Sequence, residues 1–128
     1  MTFPRRWLGR QGELQAQRFL RSRGCRLLDR NYSTPMGEID IVARDGSVVV
    51  FCEVRTRSQT TTDADAIAIA GESVGVVKQN RLRRLAESYL QSHPKLGQCD
   101  CRFDVILVGW RSGQWRIEWI RDAFRPGW

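Results

Sequence analysis

Two apolar stretches, from Ile39 to Val42 and from Val48 to Val54, flank the dipeptide Asp45-Gly46, and no other feature of the chain limits its fold as strongly. Asp-Gly between runs of β-branched residues is a strong hairpin signal, because the two-residue turn that matches strand twist needs residues tolerant of positive φ. Antiparallel strands are therefore expected over residues 38–43 and 48–55. With Asp45 and Gly46 as the central turn residues, Arg44 lies opposite Ser47, Asp40 opposite Phe51 and Glu38 opposite Glu53. Alternation then assigns Ile39, Ile41, Val48, Val50, Cys52 and Val54 to one apolar face. The other face carries Glu38, Asp40, Glu53 and Arg55 beside Val42, Val49 and Phe51.

Helical spacing of Leu14, Phe19 and Leu20 predicts an opening amphipathic helix over residues 9–23, ended by Gly24. Residues 26–32 read as a strand, and the Ser33-Thr34-Pro35 break separates it from the hairpin. A second helix is predicted over residues 77–92, with Leu82, Leu85, Ala86, Tyr89 and Leu90 on one face. A last strand pair, 102–109 and 114–120, turns at Arg111-Ser112-Gly113. Between these elements, residues 56–76 are polar and rich in threonine and small side chains, and read as a mobile loop. The order αβββαββ predicts an α/β fold in which a mixed β-sheet is flanked by helices, in one domain spanning residues 1–128. A chain of this length buries roughly two-thirds of its unfolded surface, enough to hold a core without a disulfide or metal staple.

Lysine and arginine number 21 against 14 acids, a net charge of +7, and nearly all the cations are arginine, whose planar fork suits phosphate. A polyanionic partner is the expectation, with a basic face drawn from the arginine-rich first third of the chain. No apolar run approaches the ~18–20 residues a membrane span needs, and the first twenty residues lack the apolar stretch of a signal peptide, so a cytoplasmic location without a membrane partner is expected. Cys25, Cys52, Cys99 and Cys101 show no paired CxxC spacing and read as reduced thiols.

The hairpin's acids carry the chemistry. Asp40 and Glu53 are expected to be diagonal neighbours about 7 Å apart at their Cβ atoms, close enough for both carboxylates to reach one ion. Like charges at that spacing need a cation, a shifted pKa or a basic partner. Mg²⁺ answers that need, taking one or two protein carboxylates and filling its remaining positions with water and phosphate oxygens. Surface ion pairing among Glu38, Asp40, Glu53 and Arg55 is the plainer alternative.

The linked motifs Gly9-x-x-Gly12-Glu13-x-x-Ala16, Arg30-Asn31-Tyr32, Gly37-Glu38-Ile39-Asp40, Phe51-Cys52-Glu53-Val54-Arg55-Thr56-Arg57, Lys78-Gln79-x-Arg81, Arg102-Phe103-Asp104-Val105 and Ala123-Phe124 resemble, nearly end to end, the YraN family of bacterial proteins. That family is a branch of the PD-(D/E)XK nuclease superfamily related to Holliday-junction resolvases. The resemblance implies a restriction-endonuclease-like domain that hydrolyses DNA phosphodiester bonds, in branched DNA among other forms, with Mg²⁺ or Mn²⁺ as cofactor. It further implies that Asp40, Glu53 and Glu13 hold the metal and that two chains pair as a homodimer.

One departure bears on catalysis. The family pattern places a lysine two residues after the second acid, where this chain has Arg55. A guanidinium steadies a phosphate but effectively never gives up a proton. Lys78, at the start of the second helix, is the candidate amine in its place. Arg57, Arg81 and Arg84 are candidate phosphate contacts. Two alternatives stand beside the enzyme: a catalytically impaired nucleic-acid-binding module of the same fold, and a protein-interaction domain. Trp110, Trp115, Trp119 and Trp128 read as packing residues or base-stacking platforms, and Asp104 as a family motif residue or a strand ion pair with Arg102.

Overall fold

The computed structural model describes residues 5–58 and 74–127. Helix α1 (Arg5–Ser22) leads into β1 (Arg26–Thr34), β2 (Gly37–Asp45) and β3 (Val48–Ser58). Helix α2 (Val76–Ser92) and a single 3₁₀ turn (Pro94–Leu96) then precede β4 (Asp100–Arg111) and β5 (Gln114–Phe124). The five strands form one sheet in chain order, antiparallel except for β3 and β4, which run parallel. A parallel pair needs a long crossover, and α2 lies on that crossover. The αβββαββ order and the mixed sheet flanked by helices are as the sequence predicts.

Each helix covers its own core. Against α1, Ala16 and Leu20 pack on Ile41, Ala43, Val50, Cys52, Ile106 and Val108. Against α2, Leu82, Leu85 and Tyr89 pack on Val42, Phe51, Phe103 and Leu107. The α2 face is the one predicted. The α1 face is rotated from expectation: Leu14 is 39% exposed, whereas Ala16 and Leu20 are fully buried. The small side chains at Gly12 and Ala16 let the helix approach the sheet on that side, which turns Leu14 toward solvent.

The hairpin register also differs. Asp45 pairs with Val48 and Val42 with Phe51, so Gly46 and Ser47 are the central turn residues and Phe51 does not face Asp40. Gly46 takes the positive φ of 61°, as a turn with glycine at its first central position requires, and Asp45 stays in the strand. Its carboxylate there accepts from Arg102 Nη2 at 3.0 Å. The last pair of this ladder is Ile41–Cys52, and Asp40 and Glu53 are the residues immediately beyond it.

The apolar alternation breaks at Asp40. Ile39 joins the α2-side core with Val42 and Phe51, whereas Ile41 joins the α1-side core with Ala43 and Val50. The single apolar face expected to hold both isoleucines is therefore split. Directly across from this break, Asn31 in β1 adopts a φ of 53°. At the loop expected over 56–76, β3 continues through Ser58 and α2 begins at Val76, while residues 59–73 lie outside the described residues. Among the described residues, no helix is long and apolar enough to cross a membrane.

Candidate metal centre

Helix α1 reaches the sheet through an absent side chain. A Cβ built on Gly12 would collide with the Thr56 side chain, standing 2.9 Å from its Cβ atom, so only glycine allows this approach to β3. The next residue, Glu13, is thereby carried over the strand ends. There the carboxylate oxygens of Glu13, Glu38 and Asp40 come within 4.8 Å of one another.

Asp40 sits in the sheet as a substitute for backbone. Beyond the Ile41–Cys52 pair, its Oδ2 accepts from the Val54 N–H at 2.8 Å. Burial pushes its pKa up to about 7, the Val54 hydrogen bond opposes the rise, and the charges of Glu53, Glu13 and Glu38 add to it. Burial raises Glu13 as well, helped by the Glu38 charge and resisted by a hydrogen bond from Asn31. With its amide turned so that NH2 faces the acids, Asn31 donates to Glu38 Oε1 at 2.9 Å and to Glu13 Oε2 at 3.3 Å. The opposite orientation sets a carbonyl oxygen against two carboxylates, which is repulsive. Ser33 Oγ donates to the other Glu38 oxygen at 3.3 Å.

Glu53 stands outside that trio. Its Oε1 is held by Lys78 Nζ at 2.6 Å and by Arg55 Nη2 at 3.3 Å, so a carboxylate of β3 is bridged to the first turn of α2. Asp40 lies between the two groups: its oxygens gather with those of α1 and β2, and it feels the Glu53 charge from β3. Three hard oxygen ligands, the most buried of them raised in pKa first by its burial and further by its acidic neighbours, are the donor set that a hard divalent cation relieves. The residues present fit Mg²⁺ or Mn²⁺.

The fold brings Glu13, Asp40, Glu53, Arg55 and Lys78 to one end of the sheet, with Glu53 engaged by Lys78 and Arg55 and not one of the three carboxylates that lie within 4.8 Å of one another, although its charge acts on Asp40. Arg81 lies beside Gly37, where an added Cβ would meet its Cδ at 3.3 Å. Arg57 is exposed two residues beyond Arg55. Arg84 does not join them and instead lines a cleft of about 400 Å³ with Arg83, Glu87, Pro126 and Gly127. Two participants carried no expected part in holding a metal: Glu38, read from the sequence only as an ion-pairing acid of the hairpin, and Asn31, which ties it to Glu13. Their motifs were visible, but nothing in a linear pattern says that β1, β2 and α1 meet there.

Asp104 belongs to a different structure. Its fully buried carboxylate receives Arg102 Nε and Nη2 at 2.9 and 3.0 Å, Trp119 Nε1 at 2.7 Å and the Asp122 N–H at 2.9 Å. It is a satisfied ion pair that fastens β4 to β5. Trp119 also meets Phe19 edge-on at 6.0 Å, and Trp110 packs on Trp115 at 4.8 Å. Trp128 lies outside the described residues.

Comparison with known proteins gives these residues a context. The profile of a family described as Uncharacterised protein family UPF0102 matches residues 12–108, from Gly12 through most of β4. The chain belongs to this family. It is similar to a UPF0102 protein of Moorella thermoacetica, 47% identical over 127 residues that cover 97% of this chain and all of the relative. A UPF0102 protein of Pelotomaculum thermopropionicum is 44% identical over 126 residues, again 97% of this chain and all of the relative. One from Magnetococcus marinus is 38% identical over 120 residues, 94% of this chain and 93% of the relative. The matched region of the UPF0102 profile takes in the Glu13–Glu38–Asp40 cluster together with Glu53, Arg55 and Lys78.

Proposed function

We propose that the chain is a metal-dependent endonuclease, hydrolysing DNA phosphodiester bonds with Glu13, Glu38 and Asp40 holding Mg²⁺ or Mn²⁺. The observation that carries this reading is the convergence of the Glu13, Glu38 and Asp40 carboxylates, with the pKa of Asp40 pushed up to about 7 by burial and with Arg55 and Lys78 held nearby on Glu53. When bound, the metal supplies a Lewis acid for the phosphoryl oxygen and lowers the pKa of a coordinated water.

The chain's own groups divide the remaining work. Arg55 is a permanent cation and serves by pairing with the negative phosphate. Lys78 presents three donors on a flexible stem, and Glu53 fixes where its Nζ sits. Arg57 and Arg81 meet the flanking backbone, which positions a strand without reading its bases. The Arg55 departure from lysine favours a second reading, a binding module of the same fold that has lost catalysis.

The test is cleavage of branched, single-stranded and duplex DNA with Mg²⁺ or Mn²⁺, in wild type beside Asp40→Asn, Lys78→Ala and Arg55→Lys. Metal-dependent nicking by wild type that Asp40→Asn abolishes and Lys78→Ala reduces supports the enzyme. A silent wild type whose Arg55→Lys variant gains cleavage supports the binding module. Cleavage undiminished in Asp40→Asn refutes this site.

A further inference from the structure

The motif Arg30-Asn31-Tyr32 has no part in that chemistry, yet its central residue touches two of the three acids. Asn31 is a non-glycine residue at a φ of 53° inside a strand. Its neighbours hold it there: Arg30 pairs with Ile41 and Tyr32 with Ile39 across β2, and the Tyr32 hydroxyl meets Ser88 Oγ at 2.8 Å. Asparagine is among the few L-residues that enter the left-handed region at small cost. Glycine would accept the same backbone but would bring no donor to Glu13 and Glu38. Aspartate would bring a fourth carboxylate. Asparagine alone of the three combines that backbone with a neutral group bearing two N–H donors.

We infer that Asn31 is a positioning residue for the metal cluster, its side-chain amide bridging Glu38 Oε1 and Glu13 Oε2 so that carboxylates from β2 and α1 face a single divalent cation. The inference rests on the metal-site reading above and adds to it the group that holds the ligands in place. Two mutually repelling carboxylates on separate elements otherwise swing apart when no cation is present, and each binding event then has to gather them. The amide leaves Glu13 Oε1 for the ion, and Glu38 Oε2, although it accepts from Ser33, keeps a second lone pair to offer. Ser33 completes the arrangement by donating to Glu38 Oε2.

Calorimetric titration of Mn²⁺ into the full chain tests this with wild type, Asn31→Gly, Glu38→Gln, the double variant and Asp40→Asn. Asn31→Gly keeps the backbone and removes the donors, and is expected to weaken Mn²⁺ about tenfold or more, as loss of a group that orients ligands does. Because the amide acts through Glu38, the double variant is expected to lose much less than the sum of the two single losses. A second measurement needs no variant. In wild type, the side-chain NH2 signals of Asn31 should shift as Mg²⁺ is added, in step with binding, while those of Asn80 on α2 stay still. Mn²⁺ affinity in a folded Asn31→Gly within about twofold of wild type, while Asp40→Asn loses it, overturns the positioning role and leaves the metal site standing. Unmoved Asn31 signals on saturation with Mg²⁺ also overturn the role. Wild type that binds no Mn²⁺ overturns the metal site itself.

Discussion

Removing one negative charge from the cluster should stabilise the metal-free protein. Asp40→Asn does this with least disturbance, since the amide oxygen still accepts from the Val54 N–H that Asp40 Oδ2 now takes at 2.8 Å. The sign follows from linkage. The folded-state pKa of Asp40 is raised from 3.8 to about 7, so between those values the folded chain holds a proton the unfolded chain has already lost. Wild-type stability therefore falls as pH climbs from about 4 to about 7 and levels off above. At ~1.4 kcal/mol per pKa unit the ceiling is about 4 kcal/mol, and solvent screening at this partly exposed group reduces it to about 1–3 kcal/mol. For a chain of this size that is a rise in Tm of roughly 3–10 °C in the variant at pH 8. The gap should close as pH falls toward and below 4, where the unfolded chain also takes up the proton. Glu13, raised by the same burial, leaves a shallower slope in the variant. Thermal melts at pH 5 and pH 8, with and without Mg²⁺, read all of this. Mg²⁺ should raise the wild-type Tm at pH 8 and leave the variant unchanged. A variant less stable than wild type at pH 8, or a gap equal at both pH values, refutes the account of Asp40 as a carboxylate held up in pKa by burial and by its acidic neighbours.

Gly12→Ala should lower stability by about 1–3 kcal/mol despite the better helix propensity of alanine, because its Cβ meets Thr56. It should also weaken Mn²⁺ binding by backing Glu13 away, and an unchanged Tm would show that α1 does not approach β3 there. Asp104→Ala removes the buried acceptor of Arg102 Nε, Trp119 Nε1 and the Asp122 N–H and should cost about 3–5 kcal/mol in urea unfolding without abolishing Mn²⁺ binding. Lys78→Met removes a cation from Glu53 and should reduce cleavage while leaving Mn²⁺ affinity equal or tighter, since no ligand is lost. Arg81→Ala should lower DNA affinity similarly across sequences and reduce the salt slope by about one unit, whereas Arg84→Ala, facing another cleft, should leave that slope unchanged.

Local pattern made most of the fold legible. Leu82, Leu85, Ala86 and Tyr89 at helical spacing are the buried face of α2, and two of the three antiparallel ribbons are where expected, one turning at Ser112-Gly113 and the other at Gly46-Ser47, one residue beyond the expected Asp45-Gly46. The errors lie where a distant contact decides. Asp45 is kept out of the turn by Arg102, 57 residues away, and that moves every cross-strand partner along the hairpin. Leu14 has the hydrophobicity of a core residue, but Gly12 and Ala16 are small enough to bring that side of α1 onto the sheet. Arg84 shares a helix with Lys78 and Arg81 and points into a different cleft.

The sequence by itself determined the alternation and periodicity that make a mixed sheet between two helices, and it marked Glu13, Asp40 and Glu53 as the acids to watch. Those are properties of residues near one another in the chain. Which acids meet was decided only in three dimensions. The break at Asp40 and the left-handed Asn31 bring Glu38 toward α1, while Glu53 pairs with Lys78 of α2 and with Arg55 of its own strand. The physical reason is that a carboxylate's partner is chosen by through-space charge and by the closest approach the packing permits, and neither quantity is written in the spacing of residues along a strand.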